Sequence, residues 1–156
     1  MRMTTFTDYT LRVLMYLALD PDRQATIPEV ATAYGISENH LMKVVHQLAR
    51  NGFVDSMRGK GGGIRLAGPA SRIRLGAVVR SSEGEAPIVE CMGSDKMACC
   101  IAPACQLSGI LESAFAAFYD KLDEYTLADL MGQGGSMVKL LNPVKTRRST
   151  RTSPTS

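Results

Sequence analysis

The sequence predicts a mainly α-helical fold with one small β-hairpin and a long helix near its C-terminal end. Three observations carry that prediction. Two amphipathic helical segments meet at a glycine turn around Gly35, a glycine-rich basic segment at residues 58–63 lies between two short apolar runs, and a long apolar stripe follows Cys105. In a chain of 156 residues this leaves room for one moderate core with an appended element.

The first helix is marked by Leu11, Leu14, Met15 and Ala18 at helical spacing, and Asp20-Pro21-Asp22 ends it. Thr7 or Asp8 can cap it, because a short side-chain oxygen accepts an orphan backbone N–H. The second helix opens at Thr26-Ile27-Pro28-Glu29, which has capping-box spacing with proline in the first turn. Its apolar face uses Val30 and Ala31 and runs out near Tyr34-Gly35, after which Ile36 can plug the core. Ser37 then caps a third helix through Arg50, with Leu41, Val44, Val45 and Leu48 inward and Asn51-Gly52 closing it.

Helix, glycine turn and capped helix make a helix-turn-helix, whose second helix can enter a DNA major groove. The polar face of that helix carries Glu38, Asn39, His40, Lys43, His46, Gln47 and Arg50, which an ordinary solvated face would also show. The next segment decides between the two. Phe53-Val54 and Ile64-Arg65-Leu66 read as short strands around Arg58-Gly59-Lys60-Gly61-Gly62-Gly63. A hairpin with so little bulk and a basic tip is a wing able to approach a phosphate backbone. A nucleotide phosphate loop is the weaker reading, since no helix follows the glycines and no Lys-Ser/Thr pair ends them. Between Ser37 and Leu66 stand five Lys or Arg and two acids. The expected fold class is therefore a winged helix-turn-helix, with DNA contacts at Ser37, Asn39, His40, Lys43, Gln47, Arg50, Arg58, Lys60, Gly62 and Arg65.

After Pro69, residues Ile73, Leu75, Val78 and Val79 suggest a short helix, and residues 81–87 are polar and turn-rich. The stripe of Leu107, Ile110, Leu111, Ala114, Phe115, Phe118, Leu122 and Tyr125 is the longest in the chain. So long an apolar face on a small protein predicts burial against the domain and a second copy, with packing inside one chain as the alternative. Thr126 caps a final turn through Met131, Gly132-Gln133-Gly134-Gly135 breaks it, and the Ser/Thr-rich basic end is expected to be unstructured. The expected organisation is a DNA-binding domain at 1–80, a metal-binding loop at 81–105, a dimerisation helix at 106–131 and a disordered tail at 132–156.

All four cysteines, Cys91, Cys99, Cys100 and Cys105, fall within fifteen residues. A disulfide scaffold would spread them along the chain, so the cluster reads as a metal or iron–sulfur site, or else as a redox thiol pair. Adjacent cysteines point apart, so one of Cys99 and Cys100 is superfluous, and a zinc site would show paired Cys-x-x-Cys knuckles. Three thiolates with a labile fourth position suit an iron–sulfur cluster that senses a small molecule. Apolar content of 45%, charged content of 21% and a net charge of +3 fit an ordinary soluble protein. No run approaches the ~20 apolar residues of a membrane span. With no apolar signal-peptide core at the start, the expected location is the cytoplasm. No nucleophile–base pair or substrate motif stands out, and His40 and His46 lie on the DNA-facing helix, so an enzyme is not expected.

Several motifs together resemble one known family. They are Phe6-Thr7-Asp8-Tyr9 leading into Leu11-Arg12, Asn39-His40-Leu41-Met42-Lys43-Val44-Val45, and Arg58-Gly59-Lys60 with Gly62-Gly63-Ile64-Arg65-Leu66. Pro103-Ala104-Cys105 and Tyr125-Thr126-Leu127-Ala128-Asp129-Leu130 complete the set, which spans residue 1 to about residue 131. The chain resembles the winged-helix repressors that carry iron–sulfur clusters, and among them the nitric-oxide sensors. That resemblance implies a homodimer on an inverted-repeat site in double-stranded DNA, released when nitric oxide attacks the cluster. It implies Cys91, Cys99 and Cys105 as ligands, Cys100 as a bystander, and a [4Fe-4S] rather than a [2Fe-2S] cluster. The gap from Cys91 to Cys99 is slightly longer than the family's usual one. Relatives of the IscR type place a histidine shortly after the third cysteine, where this chain has Gln106-Leu107-Ser108. Asp8 is then the candidate fourth ligand, with a helix cap as its alternative role. The runner-up functions are a regulator of iron or iron–sulfur status and, more remotely, an electron-transfer protein.

Overall fold

The computed structural model describes residues 2–57, 59, 61–84, 89, 100–101 and 104–141. Its elements are α1 (Thr5–Ala18), α2 (Ile27–Tyr34), α3 (Glu38–Arg50), β1 (Val54–Met57), β2 (Gly63–Leu66), α4 (Leu75–Glu83), α5 (Leu107–Asp123) and α6 (Gly134–Leu141). Short 3-10 helices occupy Ala70–Arg72 and Leu127–Gln133.

Helix α1 is the centre of the core. Val13 and Leu14 are fully buried, Tyr16 and Leu17 nearly so, while Leu11, Met15 and Ala18 pack around them half-buried. The buried face is thus wider than the predicted stripe, because α1 meets α3, α4, β2 and the 3-10 helix after α5 on several sides. Its cap is Thr4, whose hydroxyl accepts the Thr7 N–H, and neither Thr7 nor Asp8 holds that place. Thr7 is fully buried inside the helix. Thr4 is itself fixed from afar: its N–H donates to Glu83 Oε1 at 2.8 Å, joining the start of α1 to the end of α4.

The second helix starts at the expected capping box of Thr26 and Glu29 and stops at Gly35, whose φ of 64° is left-handed. That conformation suits glycine and turns the chain sharply into Ile36, which is buried, and Ser37, which caps α3 through the His40 N–H. Helix α3 buries Leu41, Val44, Val45 and Leu48, as its periodicity requires.

Strands β1 and β2 pair antiparallel, with Val54 opposite Leu66 and Met57 opposite Gly63. β1 starts one residue later and ends three residues later than the predicted run, and β2 starts one residue earlier and ends at Leu66 as predicted. A further bridge joins Ala25 to Ile64, with N–H···O bonds of 2.9 and 2.7 Å. A Cβ at Gly63 would stand 2.7 Å from the Ala25 carbonyl oxygen, so glycine there lets the wing lie against the start of α2.

Two expectations fail beyond the wing. Ser81 and Ser82 continue α4 rather than forming a turn, with their hydroxyls donating to the Val78 carbonyl one turn back. The glycines do end the 3-10 helix at Gln133, but where an unstructured tail is expected Gly134-Gly135 opens α6, whose last residue Leu141 packs on the core. Helix α5 ends at Asp123, and the final turn expected after Thr126 is the 3-10 helix Leu127–Gln133, opened by a Thr126–Asp129 capping box. The rest of the expected tail, residues 142–156, lies outside the described residues.

The end of α5 is fastened to α4. Arg80 pairs with the Asp123 carboxylate and lies 5.0 Å from the Tyr119 ring centroid. The Leu75 N–H donates to the Tyr125 carbonyl at 3.0 Å and the Leu127 N–H to that of Ile73 at 2.8 Å. Gly76 is buried at this joint, and a Cβ there would run into the Asp123 carboxylate. The opposite end of α5 is open, with Leu107 52% and Ile110 62% exposed. Among the described residues no helix is long and apolar enough to cross a membrane.

Candidate DNA interface and metal-ligand set

Burying Leu41, Val44, Val45 and Leu48 turns the opposite side of α3 outward. Asn39, Lys43, His46 and Arg50 follow one another at steps of four, three and four, making a continuous exposed ridge. His46 is not among the expected DNA contacts, but its step from Lys43 places it on the same ridge. Two other predicted contacts sit to the side. His40 is exposed but has its ring 6.2 Å from Tyr9 on α1, and Gln47 is half-buried. The Ser37 hydroxyl oxygen accepts the cap hydrogen bond, leaving its O–H free to donate outward.

At the wing tip Gly59 and Gly61 have φ values of 101° and 83°, a geometry glycine adopts without Cβ strain. Half-buried Gly62 donates its N–H to the Gly59 carbonyl at 2.9 Å, closing the turn. Arg65 is exposed on β2 and pairs across the hairpin with Asp55 at 3.4 Å, both side chains being about half exposed. Arg58 and Lys60 lie outside the described residues.

A helix-turn-helix reads DNA only if its two helices keep a fixed angle. Here a mostly buried polar knot fastens α2 to α1, and α1 also packs on α3. Glu29 accepts the Tyr16 hydroxyl at 2.6 Å and N–H groups from both terminal guanidinium nitrogens of Arg23, and its carboxylate also accepts the Thr26 N–H in the capping box of α2. Burial raises the Glu29 carboxyl, but the hydrogen bonds from Arg23 and Tyr16 outweigh it and hold the group below the usual carboxylate range. Burial, reinforced by the neighbouring carboxylate, pushes the Tyr16 hydroxyl up to about 12.

Of the four expected metal ligands, Asp8 and Cys105 lie among the described residues, whereas Cys91 and Cys99 lie outside them. Cys105 is half-buried just before α5, and its sulfur accepts the Leu107 N–H at 3.4 Å, as a thiolate bound to metal also would. Cys100 is exposed. Asp8 is on the first turn of α1 and about half exposed, and both its oxygens are held by Arg12, at 3.1 and 3.0 Å. Arg12 in turn lies 5.7 Å from the Tyr34 ring centroid, at the end of α2. Among the described residues, no three His, Cys, Asp or Glu side chains come together as a metal site. The donor chemistry nonetheless fits iron, with soft thiolates from one segment and an exchangeable carboxylate from another.

The chain is similar to known transcriptional regulators. Residues 3–133 match the model of the Rrf2 family, described as iron-dependent transcriptional regulators. The HTH-type transcriptional regulator NsrR of Bacillus subtilis is 44% identical over 142 residues, covering 90% of this chain and 97% of that protein. The NsrR regulator of Halalkalibacterium halodurans is 42% identical over the same share of each. Among solved structures, oxidized CymR of Staphylococcus aureus superposes with a TM-score of 0.64 at 26% identity, covering 85% of this chain and 97% of CymR. The T. potens IscR structure gives a TM-score of 0.67 at 23% identity, covering 85% and 88%. The winged-helix architecture and the expectation of a regulator rather than an enzyme agree with these relatives. The chain belongs to the Rrf2 family of iron-dependent transcriptional regulators.

Proposed function

We propose that this regulator is a nitric-oxide-sensing repressor that binds an inverted-repeat operator as a homodimer under the control of an iron–sulfur cluster, [4Fe-4S] in form. The observation that carries this reading is the position of Asp8. It is the one oxygen donor of the expected ligand set, and it stands on the helix that packs against both DNA-reading helices. Cys91, Cys99 and Cys105 would hold the cluster from the loop before α5, and Asp8 from α1 of the same or the partner chain. When bound, the cluster supplies iron with one weakly held position open to a small molecule such as nitric oxide.

The residues around Asp8 turn its occupancy into a change on α3. Arg12 grips the free carboxylate with both oxygens engaged, so a ligating Asp8 must give up part of that grip. Arg12 faces Tyr34 and Tyr9 faces His40, which puts a shift in the first turns of α1 directly against the end of α2 and the start of α3. A few kcal/mol of preference for one arrangement suffices to move the DNA-binding equilibrium. Thr4 adds a second tie, through Glu83, to the stem of the cysteine segment. The open stripe on α5 supports dimerisation, since Leu107 and Ile110 are each more than half exposed. DNA contacts would come from Ser37, Asn39, Lys43, His46 and Arg50 on and before α3, and from Arg58, Lys60, Gly62 and Arg65 on the wing.

The test is a titration of anaerobically purified, cluster-loaded protein on labelled operator DNA with nitric oxide. Release at a few molecules per cluster, with cluster-free protein indifferent, supports the proposal. Equal responses of the two forms refute it.

A further inference from the structure

We infer that Met42 is a specificity-determining residue of this DNA reader, packing its thioether on the C5-methyl group of a thymine in the major groove. The inference rests on the DNA-reading role of α3 and names one chemical feature that it reads.

Met42 is the one large apolar side chain exposed on α3, at 51%. The core needs nothing from it, since Leu41, Val44, Val45 and Leu48 already fill the inward face. It lies three residues after Asn39 and four before His46, so it flanks the outward ridge. On the other flank His40 is turned toward Tyr9, which leaves Met42 as the ridge's free apolar neighbour.

The floor of the major groove is a pattern of hydrogen-bond donors and acceptors with one apolar feature, the thymine methyl. Lys43 and Asn39 can engage acceptors and amide-like edges beside it, but neither distinguishes thymine from a base lacking that methyl. A methionine has no donor to offer and a flexible, polarizable end that adapts to a small apolar target. Covering one methyl group is worth about fourfold in affinity. The contact would act once per half-site in a symmetric dimer.

The experiment starts from a duplex recovered by binding selection from a random-sequence pool with the cluster-loaded protein. Symmetric thymine pairs are then replaced, one pair at a time, by deoxyuridine, which removes only the methyl group. At one pair the wild type should lose about fourfold in affinity per half-site. Met42→Ala should bind the thymine and deoxyuridine duplexes equally at that pair, with an unchanged salt slope and the wild-type melting curve, and Met42→Leu should keep part of the discrimination. A wild type indifferent to every deoxyuridine, or a Met42→Ala variant that still discriminates, overturns the inference while leaving the regulator reading intact. Failure of the wild type to select any duplex would overturn both.

Discussion

The Tyr9 ring lies 6.2 Å from the imidazole of His40, so the residue that follows Asp8 touches the first turn of the recognition helix. Three residues further along α1, Arg12 joins the Asp8 carboxylate to the face of Tyr34, just before the left-handed Gly35. The candidate metal ligand therefore has contacts leading to both helices of the DNA-reading unit. Neither contact is strong on its own. Together they give a small displacement at Asp8 two points of purchase on the angle that α3 presents to DNA.

Replacing Asp8 with alanine separates its two candidate roles. Because Thr4 is the cap and the Asp8–Arg12 pair is half exposed, cluster-free Asp8→Ala should melt within about 0.5 kcal/mol of wild type. The loaded variant should have an altered visible absorption spectrum and a smaller difference in DNA affinity between loaded and cluster-free forms. An unchanged spectrum would require a fourth ligand elsewhere.

The Tyr16–Glu29–Arg23 knot makes stability depend on pH in two windows. The Glu29 carboxyl is lowered on folding, so its stabilisation is present above the unfolded value and is lost as acid protonates it below about pH 4. The Tyr16 hydroxyl is raised, so its contribution is intact below about pH 10 and fades as the pH climbs toward about 12. Denaturant melts of Tyr16→Phe should lose that alkaline decline relative to wild type. They should also show a loss of about 1 kcal/mol at neutral pH, from the missing hydrogen bond.

Gly76→Ala should loosen the joint between α4 and α5, because the added methyl meets the Asp123 carboxylate. Overpacking of this kind destabilises by about 1–3 kcal/mol. Adding Asp123→Ala, which vacates the space, should recover part of the loss. Two simply additive losses in thermal melts would show that the contact is not the cause.

On the wing, Asp55→Asn should free Arg65 from its cross-strand partner without affecting folding, since the pair is exposed. DNA affinity at low salt should rise, together with the steepness of its salt dependence, by up to one unit of slope for a new phosphate contact. Arg65→Ala should cancel the gain.

Much of this architecture was legible where a short-range rule acts alone. The Thr26–Glu29 box, the Ser37 cap and the turn at Gly35 each depend on neighbours within a few residues, and each stands where the pattern put it. The cap of α1 was not legible in the same way. Thr4, Thr7 and Asp8 can all cap a helix, and what favours Thr4 is the hydrogen bonding that it donates to Glu83, 79 residues away. Gly134 and Gly135 were read as breakers, but α6 is held by its packing, with Leu141 against the core. Gly76 looked ordinary until Asp123 came to lie over it. Of the candidate site, the ridge of α3 follows from periodicity, which puts His46 on the polar face, but its exposure beside Lys43 is what makes it a candidate contact. Asp8 has no local signature as a ligand, and its claim rests on the resemblance and on where α1 stands.

The most direct test of the account is the dissociation constant of wild-type protein on its selected operator, measured by fluorescence anisotropy with and without the cluster at fixed salt. A coupling of about 3 kcal/mol between cluster and DNA sites corresponds to a difference of about a hundredfold. The account predicts tight binding by the loaded form and a loss of roughly that size in the cluster-free form. Equal dissociation constants for the two forms would contradict it, whatever ligands the cluster proves to have.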